Sequence, residues 1–433
     1  MKIGIIGFGA ASIGYVEEMK ESEHELFIFE MSKDVISSSL SGIRSDGKIF
    51  ISKDMGGTLD IDLVLQREVV DFYLKKSELD EKDIEHGISF DSDKNEWYSK
   101  FYSKGFRPIN SEFFHIGTDI LKTVMKNIYE DLVHRKNVHY IFQSLVKNVD
   151  RLNDKEVKIT YLDLSSNEEK TVIMDHVIIG VGRSGHKLVD NIIKEAPTVA
   201  LQNTTVDLGV RFELPNHVVT KLNEEMYEFK VKLKTETGYE ARTFCNNPSG
   251  YVTLENYNSG ELFTVNGHAK AYEKSQNTNF AILVTHRFTE PFKDPVGYGT
   301  HISKLSNILA GGQKVILQCF GDFKEYRRTK RIGRVEPTLD KEYYILGDLN
   351  LVFPSKTRNS IVDFIEKLDE VVPGVAFDDN LLYGVEVKFY SSVLDNSYFN
   401  NIKFIGDCSG WSRSITYASC HGIMQAKEDK ITF

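Results

Sequence analysis

Residues 1–30 read MKIGIIGFGAASIGYVEEMKESEHELFIFE, and the order of residue types in this stretch decides the fold. Lys2-Ile3-Gly4-Ile5-Ile6 is an apolar run suited to a buried parallel strand. Gly7-Phe8-Gly9-Ala10-Ala11-Ser12 turns it directly into a helical pattern that lasts through Met19, and Leu26-Phe27-Ile28-Phe29 is a second strand ending in an acid, Glu30. This is the order of a dinucleotide-binding βαβ unit. Its glycines let the backbone approach a pyrophosphate, the helix N-terminus faces that charge, and an acid ~20 residues on accepts from ribose hydroxyls. Ser12 stands where a third glycine is usual, so the packing of helix on strand must tolerate a hydroxymethyl; Gly14 lies just beyond. The alternative is a tight strand–helix turn that holds no ligand.

A chain of 433 residues has room for two or three domains of ~100–200 residues each. Its 41% hydrophobic and 27% charged residues describe an ordinary globular composition, and a formal net charge of -10 argues against a general polyanion binder, so nucleic acid is not expected as the main partner. Cys245, Cys319, Cys408 and Cys420 form no CxxC pair and no metal-like spacing, which points to reduced thiols and no metal site. The apolar start runs into an amphipathic helix without a cleavage-like site, and no apolar run approaches the ~18 residues of a membrane span. A cytoplasmic protein with no membrane partner is expected.

Beyond Glu30 and Met31 the helical pattern fades into a small, polar, glycine-punctuated stretch containing Arg44-Ser45-Asp46-Gly47-Lys48. Placed after the second strand of a nucleotide fold, it is expected to lie along the cofactor diphosphate, with Arg44 and Lys48 offering charge and Ser45 and Gly47 close N–H groups; the alternative is a surface loop. Gly56-Gly57 precedes a helix expected over 62–76, charged sequence follows to about 104, and His115-Ile116-Gly117-Thr118-Asp119 leads into an amphipathic helix over 120–132 whose Ile120, Leu121, Val124, Met125 and Ile128 share one face. From 138 to 181 the period becomes two. A strand at 138–142 and a small antiparallel meander at 145–149, 157–161 and 170–174 lead to the apolar strand His176-Val177-Ile178-Ile179, which stops at Gly180-Val181-Gly182. About 198–395 alternates apolar and polar residues between Gly, Asn and Pro turns and reads as an inserted domain of antiparallel sheet. Within it the run from Lys324 to Arg334 concentrates positive charge, either an anion site or a solvated basic loop. The last segment returns to the opening pattern: Ile402-Lys403-Phe404-Ile405 is a strand ending in Gly406-Asp407, and a helix is expected over 415–428. An acid at that strand end can accept from a polyol such as ribitol, and the N–H groups of the helix start can stabilise charge on a reduced isoalloxazine.

Arg44-Ser45-Asp46-Gly47-Lys48, His115-Ile116-Gly117-Thr118-Asp119, Arg242-Thr243-Phe244-Cys245, Asn266-Gly267, Gly384-Val385-Glu386-Val387 and Gly406-Asp407 through Ile415, taken in that order, make nearly the whole chain resemble the largely uncharacterised family of FAD-dependent (or NAD(FAD)-utilizing) dehydrogenases, flavoproteins of the two-dinucleotide-fold type. The chain departs from the family pattern at Asn247-Pro248-Ser249-Gly250, where Cys-Pro-Gly-Gly is usual, at Arg413-Ser414, where two glycines are usual, and at Asp407, where Glu is commoner. Arg413 and Ser414 would crowd the flavin's pyrimidine edge.

The resemblance implies an α/β fold: a Rossmann-like FAD-binding domain assembled from both chain ends, with an inserted α+β substrate domain rich in antiparallel sheet. The boundaries are expected at 1–197, 198–395 and 396–433. FAD is the implied cofactor. Only one nucleotide fingerprint is visible, so NAD(P)H as electron donor is possible but not evident. Gly7, Gly9, Ala10, Ala11 and Ser12 are assigned to the diphosphate turn, Glu30 with Met31 to the adenosine ribose, Arg44 to Lys48 to the diphosphate loop, and Val146 to adenine through its backbone. Gly180, Val181 and Gly182 line the crevice, Gly406 and Asp407 bind ribitol, and Ser414 with Ile415 the flavin carbonyl edge. Arg242, His268, Trp411 and His421 are candidates to line the substrate pocket, and no general base is evident. The expected function is an FAD-dependent oxidoreductase of dehydrogenase or oxidase type, moving a hydride between a small organic substrate, held between the inserted sheet and the flavin, and flavin N5. A flavin-dependent RNA-modifying enzyme using the basic run, and a non-catalytic flavin-bound sensor or scaffold, are the alternatives; the oligomeric state is left open.

Overall fold

The computed structural model describes the chain except residues 36–46, 91–94, 183–184, 195–199, 202–203, 227, 258–261, 271, 290, 293 and 391. Two compact units share it: one of Met1–Ile84, Phe114–Asn203 and Ser391–Phe433, the other of Glu85–Phe113 and Thr204–Tyr390. The first unit thus takes in both chain ends. Residues 85–113, expected with the FAD-binding part, fall in the second unit, because Phe90, Trp97, Phe101 and Phe106 are buried in the core of that unit with Phe229, Phe280 and Phe364.

In the first unit the opening stretch forms strand β1 (Lys2–Ile6), helix α1 (Ala10–Met19) and strand β2 (Glu25–Phe29). A five-stranded sheet runs in the order 402–404, 176–179, β1, β2, 138–141, with every neighbouring pair parallel. The C-terminal strand therefore sits beside the 176–179 strand, which sits beside β1. A parallel sheet must be covered on both faces, and alternation along the strands provides this. Ile3, Ile5, Leu26 and Ile28 enter one core, while Ile6, Phe29, Val177 and Ile179 enter the other. The expected helices are present as Leu63–Ser77, Leu121–Val133 and Ile415–Thr432, and the meander as Ser144–Arg151, Val157–Asp163 and Glu168–Met174.

The two chain ends are joined backbone to backbone. A Cβ added at Gly14 of α1 would lie 2.1 Å from the Ser419 carbonyl oxygen, and one at Gly422 of the C-terminal helix 1.9 Å from that of Ala11. Gly14 is therefore no displaced third glycine of the nucleotide turn. It allows the close crossing of the helices that bracket the crevice.

The second unit is built on an eight-stranded sheet in the order 344–346, 315–319, 381–389, 205–215, 277–287, 240–247, 231–234, 106–108, antiparallel apart from its 315–319/344–346 pair. The central strand Thr205–Pro215 is buried almost throughout, with Val206, Leu208, Val210, Phe212 and Leu214 entering one core. On the same strand Asp207, Arg211 and Glu213 are also buried, and charge at such positions has to be paired or made neutral.

Candidate cofactor site

Three strand ends meet the starts of two helices in the first unit. After β1 the chain turns at Gly7, whose φ of 83° and position 3.0 Å (for an added Cβ) from the Gly180 carbonyl oxygen demand glycine. Gly9 precedes α1 without a side-chain cap, so the first-turn N–H groups have no partner within the helix. An added Cβ at Gly9 would meet nothing nearer than 4.0 Å, and one at Gly182 (φ 61°) nothing at all within 4 Å. Among the described residues the turn is open where a diphosphate would approach. At the end of β2, Glu30 is 7% exposed, and its two carboxylate oxygens accept from the N–H groups of Phe8 (3.0 Å) and Ser32 (3.0 Å), which fixes the carboxylate over the turn. Each oxygen keeps a second acceptor site for a ribose hydroxyl.

Ser12 is accommodated by its neighbour. A Cβ at Gly180 would lie 2.3 Å from Ser12 Oγ but 3.6 Å from Ser12 Cβ, so the missing side chain at 180 supplies the space that the hydroxyl occupies. Ala10 and Ala11 are buried on the same first turn, and an added Cβ at Gly406 (φ 72°) would lie 2.7 Å from that of Ala11, which brings the C-terminal strand end onto the start of α1. Cys408 ties these strand ends together: its thiol bonds the carbonyls of Ile179 and Ile405, both at 3.2 Å, and burial pushes it up to about 12, an unreactive structural thiol. Ser414 is the N-cap of the C-terminal helix, accepting from the Tyr417 N–H at 3.1 Å, while the Arg413 N–H donates to the Gly56 carbonyl at 2.6 Å. The hydroxyl of Ser414 is thus engaged, and the N–H groups of Ile415 and Thr416 remain at the helix start. Ser12 Oγ, Ser412 Oγ and Thr416 Oγ1 are buried without a hydrogen-bond partner among the described residues. An open glycine turn, a fixed carboxylate and these orphaned hydroxyls fit a dinucleotide with a polyol arm.

Other assigned residues are less simply placed. Arg44, Ser45 and Asp46 lie outside the described residues. Gly47 (φ 73°) packs on the backbone of Gly117, 2.5 Å from its carbonyl carbon for an added Cβ, and its own carbonyl accepts from the Ile116 N–H at 3.0 Å; the two polar motifs quoted above therefore touch. Lys48 is buried in the strand Lys48–Ile51, Val146 is buried where the Val146/Asn148 register shifts, Val181 is half-buried, and the Met31 side chain is exposed. Of the pocket candidates, Trp411 and His421 line one cavity of the first unit, whereas Arg242 and His268 belong to the second.

In the second unit Arg242 Nη2 bonds Asp207 Oδ2 at 2.6 Å and the Tyr390 hydroxyl at 3.1 Å, and Tyr390 also donates to Asp207. Burial would raise the Asp207 carboxyl, but Arg242 and Tyr390 override it and hold it below its ordinary value. Beside this locked pair is a looser one that sequence reasoning missed. Arg211 is fully buried; its Nε bonds Asn279 Oδ1 at 2.7 Å, its Nη2 the Cys245 carbonyl at 2.9 Å, and its Nη1 lies 3.5 Å from Glu386 Oε1. Gly267 makes room for that guanidinium, since an added Cβ would lie 1.9 Å from Nη2. Among the described residues, Arg211 Nη1, Glu386 Oε2 and Asn279 Nδ2 have no hydrogen-bond partner. Burial raises Glu386 to about 7 against the pull of Arg211, so it exchanges a proton near neutrality. The sequence signal was an acid between valines in Gly384-Val385-Glu386-Val387, within the largely apolar strand Leu381–Phe389. Cys245 is half-buried at φ 47°.

The basic run at Lys324 to Arg334 is largely exposed. Lys324 pairs with Glu366 at 2.6 Å, Arg327 with Asp322 at 3.3 Å, and Arg334 Nε lies 3.9 Å from Asp379. Among the described residues no group of His, Cys, Asp and Glu could hold a metal, and no helix is long and apolar enough to cross a membrane.

Residues 205–389 match the family model described as "FAD-dependent protein, C-terminal domain-like". An uncharacterised protein of Clostridium beijerinckii is 25% identical over 338 residues, covering 72% of this chain and 61% of that protein, so the chain spans less than two thirds of that relative's length. Among solved structures, a flavoprotein/dehydrogenase from Cytophaga hutchinsonii is 10% identical with a TM-score of 0.46 over 99% of this chain and 77% of that one. A 2,6-dihydroxypyridine-3-hydroxylase from Arthrobacter nicotinovorans is 9% identical with a TM-score of 0.41 over 100% and 82%. The family match covers all but the 106–108 strand of the second unit's sheet, while the parallel sheet and its glycine turns form the first: residues 205–389 are similar to the C-terminal domain of FAD-dependent proteins, and FAD is the cofactor to which that similarity points.

Proposed function

We propose that the chain is an FAD-dependent oxidoreductase acting on a small organic substrate, of dehydrogenase or oxidase type. The observation that carries this reading is the convergence of three glycine-ended strand ends on two helix starts in one parallel sheet, with Glu30 fixed over the turn. Bound FAD supplies the two-electron chemistry, accepting or giving a hydride at N5. The chain's own residues position it: the first turn of α1 holds the diphosphate, Glu30 the adenosine ribose, Asp407 the ribityl hydroxyls, and the N–H groups of Ile415 and Thr416 the flavin carbonyl edge. Within the second unit, Glu386 beside Arg211 is a group able to take or return a proton, since a carboxyl raised to about 7 populates both protonation states at neutral pH.

Anaerobic light reduction of the purified holoprotein, followed by admission of oxygen and a panel of small organic acids, alcohols and amines, tests this reading. Reversible bleaching of the flavin, and bleaching in the dark by a member of the panel, are expected. A flavin that stays oxidised under illumination contradicts an oxidoreductase.

A further inference from the structure

Trp411 and His421 line a cavity of about 420 Å³ in the first unit, between the C-terminal helix and the turn at 395–397. Its walls contain none of the cofactor-crevice residues, and its volume is that of a small-ligand site. Leu59, Leu394 and Met424 are apolar walls. The indole N–H of Trp411 donates to the Leu394 carbonyl at 2.7 Å, so one ring face is held in place.

His421 supplies the polar end. It is 6% exposed, and its Nδ1 accepts from the Gly406 N–H at 3.2 Å. A peptide N–H can only donate, so Nδ1 carries no proton. Burial lowers this imidazole to about 4, which keeps it neutral, and its single proton sits on Nε2. Among the described residues the ring makes no hydrogen bond besides the one at Nδ1, which leaves this donor for a ligand. Two exposed carboxylates, Asp395 and Glu428, stand at the cavity wall. Asp395 is engaged by Ser397, and Glu428 accepts from Gln425 at 3.3 Å. Together they repel anions and favour an N–H-bearing edge.

We infer that this cavity is an effector site for a small, uncharged nitrogen heteroaromatic carrying an amino or amide group, stacked on Trp411, accepting from His421 Nε2 and donating to Glu428. It is coupled to the flavin through hydrogen bonds to the C-terminal strand and its end. His421 holds Gly406, which precedes Asp407, and Asn396 on the cavity wall bonds Phe404 of the same strand at both its N–H and its carbonyl, each 2.8 Å. The coupling, though not the binding, rests on the proposed role of Asp407.

The test is calorimetric titration of the holoprotein with adenine, cytosine and nicotinamide, with benzoate as the anionic aromatic control, while the flavin spectrum is recorded. At least one base binds, benzoate does not, and the spectrum shifts on saturation. His421→Asn keeps an acceptor for Gly406 but removes the Nε2 donor, and weakens base binding roughly tenfold; Glu428→Gln, at an exposed position that tolerates change, weakens it roughly threefold. No heat from any of the three bases, equal binding of benzoate, or base affinity unchanged in both variants would overturn the inference. Binding with no spectral shift would refute the coupling alone, and a protein without flavin that still binds a base through His421 would separate this site from the cofactor reading.

Discussion

Replacing Ser12 and Gly180 singly and together probes the nucleotide turn in a way that follows directly from its geometry. Alanine at 180 places a methyl 2.3 Å from Ser12 Oγ, well inside contact distance, and overpacking of this kind costs about 1–3 kcal/mol. With Ser12→Ala the offending atom is gone, and the methyl then meets the Cβ of residue 12 and Ile405 at 3.6 Å, ordinary contact. The cost of Gly180→Ala should therefore fall close to zero in that background, a coupling of about 1–3 kcal/mol. Ser12→Ala alone should stabilise the flavin-free protein by up to about 1 kcal/mol, because it removes a buried hydroxyl that has no partner among the described residues. Urea unfolding of the flavin-free protein in a Trp97→Phe background, which leaves Trp411 as the fluorescent probe of the first unit, measures all four corners of the cycle. If Gly180→Ala costs the same in both backgrounds within about 0.5 kcal/mol, Gly180 is not what makes room for the serine.

Alanine at Gly422 would place a methyl 1.9 Å from the Ala11 carbonyl oxygen, so Gly422→Ala should cost about 3 kcal/mol or more and abolish flavin retention; near wild-type unfolding in urea would contradict the helix crossing. Glu386 rises from 4.5 to about 7 on folding, so its neutral form fits the folded state: that stability is whole below the unfolded value and is lost as pH climbs through the folded one. Wild type should lose about 3 kcal/mol between about pH 4.5 and pH 8 from this group, and Glu386→Gln should flatten that slope in urea unfolding across pH; an unchanged slope would refute the raised carboxyl. Neutralising Lys330, Arg331 and Arg334 should leave flavin content unchanged. A steep salt-dependent RNA affinity that vanishes in that variant would favour the RNA-modifying alternative.

The parts of this fold that follow local period and turn chemistry could be read from the sequence. The βαβ opening, the 62–76 helix seen as Leu63–Ser77, the meander and the glycine-ended strands are all patterns within a few residues of one another. What escaped is what depends on distant partners. Gly14 reads as a misplaced nucleotide glycine until Gly422 is brought against the same helix. Residues 85–113 look like charged connecting sequence, yet Trp97 and Phe101 are buried in the core of the other unit. Ser414 reads as a residue at the flavin edge, and that its hydroxyl also caps the C-terminal helix shows only once the helix is formed. Glu386 and Arg211 are two of several charges on largely buried strands, and only the sheet register places them 3.5 Å apart.

The central claim is that the start of α1 holds the FAD diphosphate, and Gly9→Asp tests it most directly. Gly9 has an ordinary φ of -96° and open space around its missing side chain, and Asp is a favoured N-cap, so the variant should fold at least as stably as wild type. Its carboxylate would compete for the N–H groups that the diphosphate needs. With visible spectroscopy during FAD titration of the flavin-free proteins, wild type should show saturable uptake of one flavin per chain, and Gly9→Asp should show at least a hundredfold weaker uptake, about 2.7 kcal/mol. A wild-type protein that takes up no FAD, or a Gly9→Asp protein that takes it up equally well, would contradict the account.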